Sequence, residues 1–122
     1  MNNTNNILVK EMGKLSIYIT QSEKAAESSL LKKIKAKPLY REIIRAAKED
    51  KIMAASAFNT HYGYSNHEKV QSKFAEGLDR HLTLCIELID SKSKLEAFCK
   101  SHVRLLAGKS IVFKPVEYWE IV

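Results

Sequence analysis

Residues 37–63, KPLYREIIRAAKEDKIMAASAFNTHYG, decide the fold of this chain. Pro38 suits the first turn of a helix, because the N–H group that proline lacks would have no helical partner there. Apolar side chains then recur at every fourth residue, which predicts an amphipathic helix with one buried face. They are Leu39, Ile43 and Ala47. A polar turn at residues 49–51 ends the helix, and residues 52–58, IMAASAF, predict a strand with small side chains.

Two further segments alternate apolar and polar side chains, as a strand with one buried face does. They are residues 15–20, LSIYIT, and residues 81–89, HLTLCIELI. We expect residues 1–14 to form a flexible lead and residues 15–122 to form one domain, since a chain of 122 residues builds a single core. Pairing of Ile7, Leu8 and Val9 with another segment is the alternative, and the sequence does not decide it. Residues 21–36 are interpreted as an insertion, either a short helix capped by Ser22 or an ordered excursion.

A second helix is predicted after the strand HLTLCIELI. Asp90 or Ser91 would cap its first turn, and a capping box formed by Ser93 and Glu96 is the alternative start. Gly108 would end the helix, because glycine readily adopts the left-handed conformation that often follows a helix.

The closing segment, residues 110–122, predicts a strand that runs through Phe113. Proline donates no hydrogen bond to a sheet, so we expect Pro115 to break or bulge this strand. A second extended piece beyond the break carries three large apolar side chains. They are Tyr118, Trp119 and Ile121. Exposed side chains of this kind indicate a partner surface, most simply for a second copy of the chain.

The predicted order of elements is strand, helix, strand, strand, helix, strand, the ferredoxin-like βαββαβ pattern. Right-handed crossovers then place both helices on one face of a four-stranded antiparallel sheet, an α+β fold. In this topology the end of the first strand, the start of the first helix, the long loop at residues 59–80 and Lys109 lie at one end of the sheet. A helix N-terminus with lysines nearby suits an anion. A ligand edge is therefore predicted there.

The chain carries 20 Lys and Arg against 14 Asp and Glu, a formal net charge of +6. Most of the excess lies at residues 32–51, which hold eight basic and three acidic residues. Such a surplus favours an anionic partner such as a nucleotide phosphate, a nucleic acid or an acidic protein surface. A solvated helix face explains it equally well, because surface lysines are common. Both interpretations stay open at this stage.

Residue types that bind metals or act as nucleophiles are present, but their spacing is not diagnostic. Three histidines match no standard ligand pattern, so surface or hydrogen-bonded histidines are favoured over a metal site. They are His61, His67 and His81. Cys99 and His102 lie one helical turn apart on a core-facing stripe, with Cys85 on a strand, whereas a catalytic pair needs an accessible thiolate. We therefore expect neither an enzyme nor a metal protein.

The cellular location follows from the cysteines and the chain start. Cys85 and Cys99 are interpreted as buried thiols rather than a disulfide. No apolar run approaches the roughly 20 residues that span a bilayer, and the Asn-rich start resembles neither a signal peptide nor an anchor. We expect a cytoplasmic protein.

Several segments together resemble the uncharacterised family grouped with the PII-like signalling proteins. They are a first strand of the type LSIYI, the helix KPLYREIIRAAKEDKI, the strand MAASAF, the pair Gly63-Tyr64, the strand HLTLCIELID, the helix SKSKLEAF and a closing V-E-hydrophobic tail. The similarity runs from about residue 15 onward and implies a ferredoxin-like subunit in a homotrimer. It also implies binding of an adenine nucleotide or another small effector in clefts between subunits. The loop at residues 59–80 would then report the bound state to a membrane transporter, a channel or an enzyme.

The resulting hypothesis is a PII-like regulator that binds a small anionic effector and needs no cofactor. Six residues are predicted to surround the ligand: Lys37, Arg41, Asn59, Gly63, Tyr64 and Lys109. Tyr62 and Tyr64 either stack on an adenine or seal a contact between subunits. A basic RNA- or DNA-binding module is the alternative, although Tyr18 is alone among aromatics on its strand, where base stacking needs two or three.

Overall fold

The computed structural model describes residues 6–20, 22–25, 37–72 and 82–122. These ranges form six strands and three helices. In chain order they are β1 (Ile7–Thr20), α1 (Leu39–Glu49), β2 (Ala54–Asn59), β3 (Tyr62–Gly63), β4 (Gln71–Ser72), β5 (Thr83–Asp90), α2 (Lys92–Ser101), α3 (Val103–Leu106) and β6 (Ser110–Ile121).

Four strands form one antiparallel sheet in the order β2-β5-β1-β6. β1 lies inside the sheet, and its residue Ile17 stands opposite Ile86 of β5 and Ile111 of β6. β3 and β4 form a separate two-stranded hairpin between β2 and β5. The predicted ferredoxin-like arrangement is therefore confirmed, with β2 and β6 as the edges of the sheet.

The core lies between one face of the sheet and the two longer helices. The predicted stripe of α1 is confirmed, since Leu39, Ile43 and Ala47 are at most 2% exposed. α2 contributes Leu95 and Phe98, each 1% exposed. The sheet adds a set of buried aliphatic residues: Leu15, Ile17, Ile19, Leu84, Ile86 and Leu88. Each fully buried side chain of this size stabilises the fold by about 1.5–3 kcal/mol relative to exposure.

The first strand begins at Ile7 and not at Leu15, so the expected flexible lead is wrong for residues 7–14. The pairing of β1 with β6 continues outward to the pair of Ile7 with Ile121, whereas the pairing with β5 begins only at Gly13. Pairing with β6 thus makes a strand of residues 7–14, although their apolar and polar side chains do not alternate clearly. The result is a two-stranded ribbon that extends beyond the body of the sheet.

β6 runs without interruption through Pro115, so the predicted break is also wrong. Pro115 stands opposite Gly13 in unbroken register. β6 is an edge strand, and successive residues of an antiparallel strand direct their N–H groups alternately toward the neighbour and away from it. A proline whose missing N–H would point away from β1 costs the sheet no hydrogen bond.

The second helix starts where the first of the two expectations places it. The Ser91 hydroxyl caps α2 by accepting the N–H of Lys94 at 3.3 Å. The helix does not continue to Gly108, because the backbone leaves the helical conformation at His102 before the short α3. His102 Nε2 lies 2.8 Å from Oδ2 of Asp50, which joins this junction to the end of α1.

Parts of two predicted segments lie outside the described residues. The helix expected in residues 21–36 falls mostly on residues 26–36, and Ser22 itself lies in a turn. In the loop at residues 59–80, the i, i+4 spacing of Val70, Phe74 and Leu78 predicts a helical turn. Val70 lies in neither a helix nor a strand, and the other two are outside the described ranges.

Gly13 leaves the space in which an aromatic ring of β6 packs. A Cβ atom at Gly13 would overlap with Cε1 of Phe113 and stand 3.1 Å from Cδ1 of Leu95. The ammonium of Lys92 lies 5.7 Å from the centroid of the same ring. The missing side chain therefore allows Phe113 to lie against β1 beside α2.

We expect Gly13→Ala to lower the free energy of unfolding by about 1–3 kcal/mol, because the added methyl group displaces the Phe113 ring. Urea unfolding of Gly13→Ala, Phe113→Ala and the double variant measures this coupling. Gly13→Ala should lower the free energy of unfolding by less in the Phe113→Ala background than in the wild type. An equal cost in both backgrounds would show that this ring is not the reason for the glycine.

Asp90 joins two elements at the end of the sheet where α2 begins. Its Oδ1 accepts the N–H of Ser91 at 2.7 Å, and its Oδ2 accepts the N–H of Met53 at 2.8 Å. The Lys94 ammonium lies 3.4 Å from Oδ2. Burial acts to raise the pKa of this carboxyl, but the two backbone hydrogen bonds together with Lys94 outweigh it and hold the pKa below its ordinary value.

We expect Asp90→Asn to lower the free energy of unfolding by about 1–3 kcal/mol at pH 7, because the new amide group cannot accept from both N–H groups. Since the folded pKa is lowered, the contribution of Asp90 is complete above the ordinary carboxyl pKa of about 3.9 and is lost as the pH falls through the folded value. The difference between wild type and variant should therefore shrink below about pH 4.

Urea unfolding between pH 3 and pH 7 measures this trend. Glu49→Gln, an exposed carboxyl on α1, is the matched control and should change the free energy by no more than about 0.5 kcal/mol. A difference for Asp90→Asn that stays constant over the whole pH range would contradict the assignment.

Candidate functional site

A cleft of about 510 Å³ opens at one end of the sheet. The end of β1, the turn that follows it, the turn between β3 and β4, and the connection from α3 to β6 meet there. Its lining consists of residues 18–20, Ser22, Glu23, Ser65, Asn66, Glu68 and residues 108–110. The cleft lies at the end of the sheet where the topology predicts a ligand edge.

Glu23 and Lys109 form an ion pair in the wall of this cleft. Glu23 Oε1 lies 2.6 Å from Nζ of Lys109, and Glu23 Oε2 accepts the N–H of Thr20 at 2.9 Å. The Glu23 and Lys109 side chains are 31% and 26% exposed, so water screens the pair only in part. One ammonium and one backbone N–H thus hold a single carboxylate at the end of β1.

The same turn holds the start of α1 through its backbone. The carbonyl of Glu23 accepts the N–H of Leu39 at 2.8 Å, and the N–H of Ala25 donates to the carbonyl of Lys37 at 3.0 Å. Pro38 occupies the N-cap position and provides no side-chain cap. The Glu23 carbonyl therefore satisfies one of the N–H groups that a helix leaves unpaired at its start.

The described part of the loop between β2 and β5 presents a polar turn to the cleft. Thr60 fixes its beginning, because its N–H and its hydroxyl both donate to the carbonyl of Thr83, at 3.0 and 2.7 Å. Farther along, Asn66 and His67 adopt positive φ values of 51° and 61°. Asparagine tolerates this conformation better than most residues, which suits Asn66 to a tight turn.

Three of the six predicted site residues belong to the start of α1 or to the turn after α3. Lys109 lines the cleft. Lys37 is exposed, and its backbone adjoins the cleft turn. Arg41 is exposed on α1, where its Nε lies 3.2 Å from the hydroxyl of Tyr40 rather than in the cleft.

The other three lie at the end of β2 and in the small hairpin. Asn59 is exposed at the end of the edge strand. Gly63 adopts a φ of 146°, a conformation that favours glycine, and Tyr64 next to it is 62% exposed. The lining of the cleft includes none of these three residues, all of which lie in the described ranges.

Glu23 and the polar turn at residues 65–68 were missed from the sequence. Glu23 lies in the segment interpreted as an insertion, and its partner Lys109 is 86 residues away. No local pattern signals such a contact. The pair Ser65-Asn66 is typical of a turn, so its composition could have located this part of the cleft.

The basic surplus at residues 32–51 is described in part. Its described members are all exposed: Lys37, Arg41, Arg45, Lys48 and Lys51. Arg45 lies 3.7 Å from the carboxylate of Glu42, one turn earlier on α1. These positions match the solvated-face interpretation, while Lys32, Lys33 and Lys35 lie outside the described residues.

The two thiols are poorly suited to nucleophilic chemistry. Burial, followed by the charge of Glu87, raises the pKa of the Cys85 thiol, with a hydrogen bond from Tyr18 acting in the opposite direction. Burial, followed by the charge of Glu96, raises the pKa of the Cys99 thiol. Raised pKa values keep thiols protonated near neutral pH, where a thiol is a weak nucleophile.

Within the described ranges, no three His, Cys, Asp or Glu side chains stand where they could share a metal ion. His61 and His67 lie within those ranges, whereas His81 does not. None of the helices described has the length and the apolar character that crossing a bilayer requires.

Two other cavities adjoin Phe113. One, of about 490 Å³, adjoins the ribbon and Pro115, and the other, of about 350 Å³, lies against Leu95 and Cys99 of α2. Both share Lys92 and Phe113. The cleft at Lys109 is the better candidate for a polar ligand, because hydroxyl, amide, carboxylate and ammonium groups from four segments converge there.

Comparison of the fold with solved structures finds PII-like proteins. The apo form of CPII from Thiomonas intermedia K12, a nitrogen regulatory PII-like protein, aligns with a TM-score of 0.58 at 6% sequence identity, covering 94% of this chain and 99% of that one. CPII bound to ADP, AMP and bicarbonate aligns with a TM-score of 0.58 at 8% identity, covering 93% and 91%. CPII bound to ADP and bicarbonate gives 0.54 at 9% identity, with the same coverage. At these identities the likeness establishes the fold alone.

The sequence itself matches no curated protein. It does match one family model over residues 12–118, which is most of the chain. This match and the fold confirm the resemblance found from the sequence. The protein belongs to the family DUF190, described as Uncharacterized ACR, COG1993, and has the fold of the nitrogen regulatory PII-like proteins.

Proposed function

We propose that the protein is a PII-like regulator whose cleft at Lys109 binds an adenine nucleotide or another small anionic effector. The observation that carries this proposal is the convergence of four segments around the one ammonium group among the described lining residues. The CPII structures with ADP, AMP and bicarbonate support it, because a protein of the same fold holds ligands of this class.

The size and chemistry of the cleft suit such a ligand. A volume of about 510 Å³ falls in the range of small-molecule sites, about 300–1,000 Å³. Lys109 supplies a positive charge for a phosphate or a bicarbonate. Ser22, Ser65 and Asn66 supply hydroxyl and amide groups that can hydrogen-bond to a sugar or a base.

The proposed assembly is a homotrimer in which clefts lie between subunits. The ribbon of β1 and β6 exposes a set of large apolar side chains that a second copy would cover. They are Ile7, Leu8, Val9, Tyr118, Trp119 and Ile121, each at least 43% exposed. In such an assembly Arg41, Asn59, Gly63 and Tyr64 would join the site through contacts between copies.

Regulation of a target protein completes the proposal. The small hairpin exposes Tyr62 by 69% and Tyr64 by 62%, and exposed tyrosines are frequent anchors of protein interfaces. A membrane transporter, a channel or an enzyme in the cytoplasm is the expected target, contacted through residues 59–80.

We expect Lys109→Gln to weaken ADP binding at least about tenfold, because it removes the positive charge from the cleft. Isothermal calorimetry measures the affinity, and thermal unfolding with ADP, AMP and bicarbonate provides a second readout. A ligand at 100 times its dissociation constant adds about 2.7 kcal/mol of stability to the wild type. Lys48→Gln, an exposed lysine on the outer face of α1, carries the same charge change and should bind as wild type does.

A protein indifferent to all these ligands would refute the proposed site. Single-stranded RNA belongs in the same panel, because the basic composition leaves nucleic-acid binding as the alternative. Stabilisation by RNA that falls steeply with salt, without any response to ADP, would favour that alternative.

We expect Trp119→Glu to convert the trimer into a monomer at micromolar concentration, because a carboxylate would be buried without a partner in the interface. Light scattering after gel filtration measures the mass. Val103→Glu is the matched control, since Val103 on α3 and Trp119 are both 56% exposed. A wild type that is already monomeric, or a trimer that Trp119→Glu leaves intact, would exclude the ribbon as the interface.

A further inference from the structure

We propose that the carboxylate of Glu23 is an internal competitor that occupies the anion position of the cleft until an effector displaces it. This inference rests on the proposed function, because it concerns the same cleft. It adds a residue that sets the affinity for an anionic ligand and links the ligand to the start of α1.

The contacts of Glu23 are those that a bound anion would make. One oxygen lies 2.6 Å from the ammonium of Lys109, and the other accepts the N–H of Thr20 at 2.9 Å. A phosphate or a carboxylate recognised at this place needs the same ammonium and the same backbone donor. The two anions cannot occupy one position, so an effector must displace the Glu23 side chain.

The charge balance of the cleft also opposes an anion while Glu23 stays in place. Among the described lining residues, Glu23 and Glu68 carry negative charges and Lys109 carries the positive one. The wall is therefore negative by one charge despite the net charge of +6 of the whole chain. Displacement of Glu23 leaves Lys109 free to neutralise the incoming ligand.

Displacement would be transmitted along the backbone of the same residue. The Glu23 carbonyl holds the N–H of Leu39 at 2.8 Å, and the Glu23 N–H donates to the carbonyl of Thr20 at 3.2 Å. The side chain that senses the anion and the carbonyl that holds the first turn of α1 thus belong to one residue. Occupation of the cleft is coupled to the position of residues 22–25 against α1.

The test compares ADP affinities of the wild type, Glu23→Gln and Glu68→Gln by isothermal calorimetry. We expect Glu23→Gln to bind ADP about three- to tenfold more tightly, the range expected when a partly exposed ion pair no longer competes. Glu68 lines the same cleft but forms no ion pair with Lys109 in the described structure. Glu68→Gln removes the same charge, and we expect a gain of at most about twofold, as for a screened charge.

Glu23→Asp is a second variant in case Glu23→Gln folds poorly. It keeps the charge, but its shorter side chain cannot reach both Lys109 and Thr20, so ADP should again bind more tightly than to wild type. Circular dichroism of each variant verifies the fold.

The outcomes separate the two proposals. Equal gains in ADP affinity for Glu23→Gln and Glu68→Gln, or no gain for either Glu23 variant, would overturn the proposal that Glu23 is a competitor. The proposed binding site would still stand if the wild type binds ADP and Lys109→Gln weakens that binding. Measurable ADP binding by the wild type that Glu23→Gln tightens about three- to tenfold, while Glu68→Gln tightens it at most about twofold, would support the competitor. Absence of ADP binding in every variant would overturn both.

Discussion

The fold depends on β1, because this strand pairs with β5 along one edge and with β6, the longest of its partners, along the other. Its inward side chains, Leu15, Ile17 and Ile19, meet Leu84, Ile86 and Leu88 of β5 directly across the ladder. α1 and α2 close over this layer with their own buried stripes. A buried backbone must find hydrogen-bond partners, and between Gly13 and Tyr18 β1 has a partner strand along each edge. The positions of the cleft and of the ribbon both follow from where the two ends of β1 lie.

The whole chain carries a net positive charge, whereas the described lining of the cleft carries a net negative one. The exposed Lys and Arg of α1 face solvent, whereas the wall of the cleft contains two carboxylates and one ammonium. A composition that favours anionic partners therefore does not by itself locate an anion site. The basic face of α1 and the cleft are separate surfaces, and each must be assigned its own ligand from its own contacts.

The sequence predicts those features that depend on neighbours within about ten residues. The stripe of α1 and the alternation of β5 repeat at the period of a helix and of a strand, so their burial could be read directly. Whether Pro115 interrupts β6 could not be predicted in this way, because the answer depends on whether its missing N–H would point toward β1 or away from it. The order of residues 7–14 depends on pairing with the other end of the chain. Glu23 and Lys109 meet for the same nonlocal reason, so the ligand edge was predicted by topology while its ion pair was not.

The length of β1 has a mechanical consequence. Fourteen residues at about 3.3 Å each form a rod about 45 Å long, with the ribbon at one end and the Thr20 N–H of the cleft at the other. Such a rod cannot slide by one residue, because a slip would turn Leu15, Ile17 and Ile19 out of the core and bring Ser16 and Tyr18 into it. Any signal that passes between cleft and ribbon along this strand must therefore travel as bending or twisting of the sheet. The stiffness of the sheet would then set how strongly the two ends sense one another.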